Sequence, residues 1–459
     1  VTPDLIQTRF ADLLDHVSAD CGAPRFAVAV SGGSDSMALL TLAAGWARAR
    51  GATLEAATVD HRLRPEARAE AEAVAAYCDS WFVPHATLAW TPPPCGPGLP
   101  AAARAGRYGL LADWMRARGL DVLLVGHTAD DRLETTLMRE ARGGRDIAAL
   151  RAAGVHPLWP EGRGLLVVRP LLKVRRAALQ NLLTALGVDW HDDPSNDDTA
   201  SPRIQARRSI ASWPAHLVEA MLADIADRDA AQAAAEAQML GDLASAMEIS
   251  PTGVIELDLA GCVCDNLAVE PVLARLIAIA AGQPAGPGRG GVARLRRALQ
   301  APDFKAATLG GALIRTRRQR VALSRDPGPV FGRPGVAPLA PLHVAAGAQA
   351  VWDGRFLVQA DRDLIVRPWG VVRTALTKDT ISGDGWGGAG RHTAPAAMTE
   401  DGGVCASPAP IAGCARLHAL AGQRIEDWRR ALRILNADAS PSPPLEGAGA
   451  RQRRAQSLS

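Results

Sequence analysis

The sequence predicts an α/β fold: a parallel sheet with helices on both faces, followed by helical and then mixed regions. Three observations predict it. Short apolar runs alternate with longer amphipathic stretches through the first 190 residues, which is the pattern of repeated strand–helix units. Glycine, aspartate and histidine gather in the loops that directly follow Val30, Val59 and Val125. On a parallel sheet, ligands sit outside the carboxyl ends of the strands, where such loops lie. Finally, the composition is that of a globular chain, with 48% hydrophobic and 22% charged residues.

The elements follow in order. Arg25 to Val30 reads as a buried strand and Met37 to Arg48 as a helix. Leu54 to Val59 is a second strand, followed by a helix from Pro65 to about Cys78. Pro65 suits a first helical turn and Glu66 favours the helix dipole. Trp81 to Leu88 is a weaker strand candidate, Ala101 to Arg118 a helix, Asp121 to Val125 a strand and Asp130 to Arg142 a helix. Leu165 to Val168 and Arg175 to Leu186 repeat the unit. The chain turns polar from Asp192 to Arg208, and Ala215 to Met247 is alanine-rich and helical, expected as more than one helix. Gly282 to Gly291 is a Gly/Pro-rich linker, and residues from Gly253 to Arg367 mix helix with short strands. After Trp369 the pattern weakens, and Ala437 to Ser459 is rich in Ser, Pro, Gly and Arg, the composition of a disordered tail. The expected domains are therefore 1–210, 211–370, 371–436 and the tail 437–459, within a chain of 459 residues.

Bulk features exclude several classes. No run of about 18 apolar residues is present, so no membrane span is expected. The first residues, Val1 to Ile6, lack the basic and apolar regions of a secretory leader. Seven scattered cysteines without a CxxC argue against a zinc ribbon, an iron–sulfur site or a disulfide scaffold, and fit a reducing cytoplasm. The net charge of +3 is small, but lysine occurs only at Lys173, Lys305 and Lys378. Positive charge is thus almost all arginine. Either a compositional bias or phosphate binding through the bidentate guanidinium accounts for that.

The sharpest local signal is Ser31-Gly32-Gly33-Ser34-Asp35-Ser36, between a strand and a helix. The glycines allow a tight turn, and exposed backbone N–H groups plus the helix N-terminus make an anion site. The string is neither a Walker A loop nor GxGxxG. It resembles the PP-loop of the N-type ATP pyrophosphatases, which split ATP between the α and β phosphates and adenylate an acceptor. Asp35 has no base nearby in sequence, and magnesium bridging phosphate oxygens would explain a carboxylate there.

Four further strings resemble the lysidine synthetase branch of that family. Asp60-His61-Arg62-Leu63-Arg64-Pro65-Glu66 is similar to its DHxLRPE loop, at the carboxyl end of the second strand. Ala101 to Tyr108 resembles its AAARxxRY helix, with Arg104 and Arg107 on one face. Gly126-His127-Thr128-Ala129-Asp130-Asp131-Arg132-Leu133-Glu134-Thr135 is similar to its GHTADDQxET string, with Arg132 where Gln is commoner. Asp193-Pro194-Ser195-Asn196 and the series Arg203, Arg207, Arg208 match its closing elements, with Gln205 where an arginine is common. Each segment also has a plainer reading: helix capping for the acids, a proline turn for DPSN, solvated surface for the arginines. The resemblance is strong over residues 25–210 and faint beyond, in Arg315 to Arg325 and Val351-Trp352-Asp353-Gly354.

The resemblance implies a ligase. ATP adenylates C2 of the wobble cytidine in a CAU anticodon of tRNA(Ile), and free L-lysine then displaces AMP. It implies that Ser31, Gly32, Gly33, Ser34, Asp35, Ser36, Asp60 and His61 hold ATP, with Asp35 meeting magnesium. Asp35, Asp60, Asp131 and Glu134 would be catalytic. Arg104, Arg107, Asp130, Asp131, Glu134, Arg203, Arg207 and Arg208 would face lysine or tRNA. A homodimer is one expected assembly. The competing readings are a tRNA thiolase, a glutamine-fed amide synthetase and a non-catalytic RNA-binding relative. The first two need cysteine chemistry that these cysteines do not supply.

Overall fold

The computed structural model describes residues 2–60, 67–91, 99–141, 150–155, 164–191, 202–264, 266–372, 388–400, 402–406 and 415–439. The amino-terminal part runs α1 (Pro3–Cys21), β1 (Phe26–Ala29), α2 (Ser34–Arg50), β2 (Leu54–Asp60), α3 (Ala67–Ser80), β3 (His85–Ala89), α4 (Leu99–Arg118), β4 (Val122–Val125) and α5 (Ala129–Glu140). Then come β5 (Ala153–Val155), β6 (Leu166–Val168), α6 (Arg176–Leu186) and α7 (Pro202–Ala211). Six strands form one sheet in the order β3-β2-β1-β4-β6-β5. All pair in parallel except β5, which runs antiparallel to β6 at the edge.

Side-chain alternation along the central strands divides two cores. Phe26 and Val28 of β1, with Val122 and Leu124 of β4, enter the core shared with α1, α2 and α6. Ala27, Leu123 and Val125 enter the opposite core with Tyr108, Leu111 and Met115 of α4. Burial on both faces is why these strands read as continuous apolar runs. The chain winds from β1 outward to β3, then crosses back to β4 beside β1. That reversal opens a crevice at the carboxyl ends of β1 and β4.

The helix α8 (Ala215–Ala244) is one helix of 30 residues. The expected division into several does not occur, because no proline interrupts the run and alanine is the best helix former. Beyond it lie β7 (Glu248–Ile249), β8 (Ile255–Asp258), α9 (Leu259–Val263), α10 (Val269–Ala281), α11 (Arg289–Leu299), β9 (Ala306–Leu309), β10 (Ala312–Arg317), β11 (Arg320–Arg325) and α12 (Pro327–Phe331). Their five strands form a second sheet, β7-β8-β11-β10-β9.

The last part contains β12 (Leu342–Val344), β13 (Gln349–Trp352), β14 (Phe356–Ala360), β15 (Leu364–Pro368), α13 (Trp369–Val372), α14 (Ala389–His392), β16 (Pro395–Met398), β17 (Val404–Ala406), β18 (Ala415–Ala419) and α15 (Ala421–Ala439). β15 pairs with β16, so a division at residue 370 runs through a sheet. Likewise α15 continues to Ala439, past the expected start of the tail at Ala437. The Trp352–Gly354 turn is packed against the end of α10: a Cβ on Gly282 would collide with the Asp353 carbonyl oxygen. Asp353 accepts paired hydrogen bonds from Arg325, both 3.0 Å, and another from Arg355 at 2.9 Å. The Val351-Trp352-Asp353-Gly354 string is thus a joint between the second and third parts.

Candidate active site

The loop after β1 is shaped by its own hydroxyls. Ser36 Oγ donates to the Gly33 carbonyl at 2.9 Å and accepts from the Ser31 N–H at 3.1 Å. Gly32 takes φ +84°, a conformation that favours glycine, and its carbonyl accepts from the His191 N–H at 2.9 Å. Helix α2 starts at Ser34, so its first-turn N–H groups, which no helical carbonyl can reach, stand at this loop. The loop after β4 lies directly against it. A Cβ on Gly126 would meet the Asp35 carbonyl oxygen at 3.0 Å, so glycine is what lets the two loops close.

The same crevice gathers four carboxylates and four guanidiniums. Asp35 Oδ2 accepts from Arg176 Nε at 2.8 Å. Asp130 accepts from Arg175 at 2.8 Å and from the Arg176 backbone N–H at 2.7 Å. Asp131 Oδ2 accepts from the Thr128 N–H at 2.8 Å and hydroxyl at 3.0 Å. Its Oδ1 faces Arg203 at 2.5 Å and Arg176 at 3.4 Å. Glu134, whose side chain is 1% exposed, accepts from Arg203 at 2.7 Å and Arg207 at 2.9 Å. The capping reading for Asp131 therefore holds alongside its ion pairs: one oxygen closes the capping box of α5, and the other faces the arginines.

These environments separate the acids. Burial pushes the Asp35 carboxyl up to about 6, against the lowering effect of Arg176 and with Asp131 and Asp130 adding repulsion. Burial also works against ionisation of Asp131, but Arg203, the Thr128 N–H and Arg176 outweigh it and hold that group below the usual carboxylate range. His127 is driven down to about 3, first by burial and then by the Arg169 charge, so its ring is neutral near pH 7.

The structure brings together Ser31 to Ser36, Asp130, Asp131, Glu134, Arg203 and Arg207 of the expected residues. Asp60 closes the adjacent strand β2 at the same sheet edge. Arg104 and Arg107 are exposed on α4, with the Arg104 guanidinium 5.1 Å from the centre of the Tyr108 ring. Arg208 is exposed on α7. His61, Arg62, Arg64 and the Asp193 to Asn196 turn lie outside the described residues. Arg175 and Arg176 were not foreseen. Their signal was present: adjacent cations at a helix start oppose the dipole and call for specific anions. Arg132 leaves the site altogether and pairs with Asp229 of α8.

A family model described as a PP-loop domain matches residues 6–213. A tRNA(Ile)-lysidine synthase of Hyphomonas neptunium is 38% identical over 314 residues, covering 68% of this chain and 83% of that protein. One of Mesorhizobium japonicum is 39% identical over 366 residues, covering 77% and 75%. One of Ruegeria pomeroyi is 33% identical over 416 residues, covering 88% and 93%. These likenesses reach well beyond the amino-terminal part.

Proposed function

Because the chain belongs to the tRNA(Ile)-lysidine synthase family, we propose that it joins L-lysine to C2 of the wobble cytidine of tRNA(Ile) at the expense of ATP. The observation that carries this assignment to residues is the crevice between the loops after β1 and β4. There a phosphate-type loop abuts a buried acid cluster. ATP lies with its phosphates on the Ser31–Ser36 loop and the first turn of α2, where N–H groups and hydroxyls meet negative charge. Asp60, which ends the next strand, borders the nucleotide, and His61, outside the described residues, is assigned to ATP on the resemblance of the Asp60–Glu66 string alone.

Asp35 Oδ1 is buried and has no hydrogen-bond partner among the described residues, which fits a carboxylate that meets a cation. Among the described residues no group of three or more acids, histidines or cysteines could cage a metal. Magnesium bound at Asp35 would therefore take its remaining ligands from phosphate and water, and would supply charge neutralisation for the leaving diphosphate. Asp131 and Glu134 hold the lysine ammonium groups. A carboxylate kept ionised holds an ammonium better than it removes a proton from one, which suits Asp131 to binding. Arg176, Arg203 and Arg207 neutralise these acids in the absence of lysine, so lysine exchanges one cation for another without leaving bare buried charge.

Residues 1–210 form the catalytic part, and the arginine-rich surface of the part that follows meets the tRNA body. A cytoplasmic location and a homodimer belong to the same proposal. No helix among the described residues is long and apolar enough to cross a membrane. The deciding test is incorporation of radiolabelled lysine into total tRNA with and without ATP. ATP-dependent label in a lysidine nucleoside, with AMP released, is the expected result. A thiolated base, or no transfer, overturns the reading.

A further inference from the structure

Arg132 lies between the acids of α5 but points away from them. Successive helical positions are about 100° apart, so it leaves α5 about 100° from Asp131 and about 160° from Glu134. Its guanidinium crosses to α8, where it pairs with Asp229 and donates to the Ile225 carbonyl at 3.4 Å. Both partners are buried, Arg132 at 6% and Asp229 at 8% exposure. Apolar packing frames the pair: Leu133 of α5 meets Ile210 of α7 and Val218 and Ile225 of α8. Helix α5 is therefore held from two sides, by arginines of α6 and α7 on its acidic flank and by α8 on the other.

We propose that the Arg132–Asp229 pair fixes the rotation of α5, making Arg132 and Asp229 positioning residues for the lysine-binding acids Asp131 and Glu134. This rests on the assignment of the acid cluster to lysine. The physical reason is one of anchoring. The acidic flank is held by ion pairs that lysine must displace, so those pairs cannot keep the helix in place while lysine enters. The anchor on α8 stays intact throughout. A second buried pair on the same helix serves as a control. Arg151, next to β5, donates to both oxygens of Glu236 at 3.0 and 2.9 Å, seven residues beyond Asp229.

The test measures lysine KM, ATP KM and melting temperature on the full chain with tRNA. Asp229→Asn should raise lysine KM by about tenfold and leave ATP KM within about twofold. Arg132→Lys, which keeps the charge opposite Asp229, should retain most of the lysine affinity. Should Asp229→Asn fail to fold, Arg132→Met with Asp229→Leu removes both charges without stranding either, and should fold with the same rise in lysine KM. Glu236→Gln should lower the melting temperature with lysine KM unchanged. Unchanged lysine KM in the Asp229 variants would overturn the proposal, as would an equal rise in Glu236→Gln. Failure of the wild-type chain to transfer lysine would instead sink the functional reading.

Discussion

Asp131 and Glu134 each face more than one arginine, and a lysine-binding role and a purely structural one predict different kinetics for their variants. Asp131→Asn and Glu134→Gln should raise lysine KM at least about tenfold, a loss of about 1.4 kcal/mol, with ATP affinity little changed. A lower melting temperature with unaltered lysine kinetics would leave only capping and ion pairing. His127 gives a pH signature. Its folded pKa is depressed, so the unfolded chain takes up a proton near pH 6.5 that the folded chain refuses until about 3. Stability from this group is complete above pH 6.5 and falls as pH drops, by up to about 1.4 kcal/mol per unit. His127→Gln should flatten the fall in melting temperature between pH 6.5 and 5; an unchanged slope would show that His127 titrates normally. The motif containing His127, Asp131 and Glu134 was legible in sequence. Its pairing with Arg176 was not, because the two lie on different helices, more than 40 positions apart.

At the scale of elements, α15 decides how the chain closes. Ala431 and Ile434 enter the core of the first sheet, while Ile425, Trp428 and Leu432 enter that of the second. Arg433 pairs with Asp20 of α1 at 2.6 Å, and Asp438 pairs with Lys173 at 2.9 Å. Trp428→Ala should cost about 3–5 kcal/mol by leaving a cavity between helices. Denaturant unfolding measures this; a change under about 1 kcal/mol would mean α15 is docked by its ion pairs instead. The helix was readable in the spacing of Ala421, Ile425, Trp428, Leu432 and Leu435, steps of four and three. Its frequent arginines obscured that stripe. Their charges lie on the faces between and beside two cores, where composition gives no warning of burial.

Over the whole molecule, arginine serves two ends. Arg132, Arg151 and Arg325 are buried or nearly so in ion pairs that join separate parts of the chain. Arg294, Arg297, Arg317 and Arg318 are exposed on α11 and the β10–β11 hairpin, and α9 touches both elements. Replacing these four by Ala should weaken tRNA binding and flatten its salt dependence, since each phosphate contact contributes about 0.7–0.9 to the slope of log affinity against log salt. An unchanged slope would make that surface structural. Arg320 is left out because it pairs with Glu248 and Glu256. The amino-acid sequence by itself determined the strand–helix alternation, the phosphate-type loop and the acids after β4, because each is a local pattern of burial or turn chemistry. Only the tertiary structure decided which arginine neutralises which acid, that α8 is one helix tied to α5, and that α15 returns to pack against α1. Those outcomes depend on charges and apolar faces brought together from distant positions, and burial strengthens such contacts only once the chain has folded.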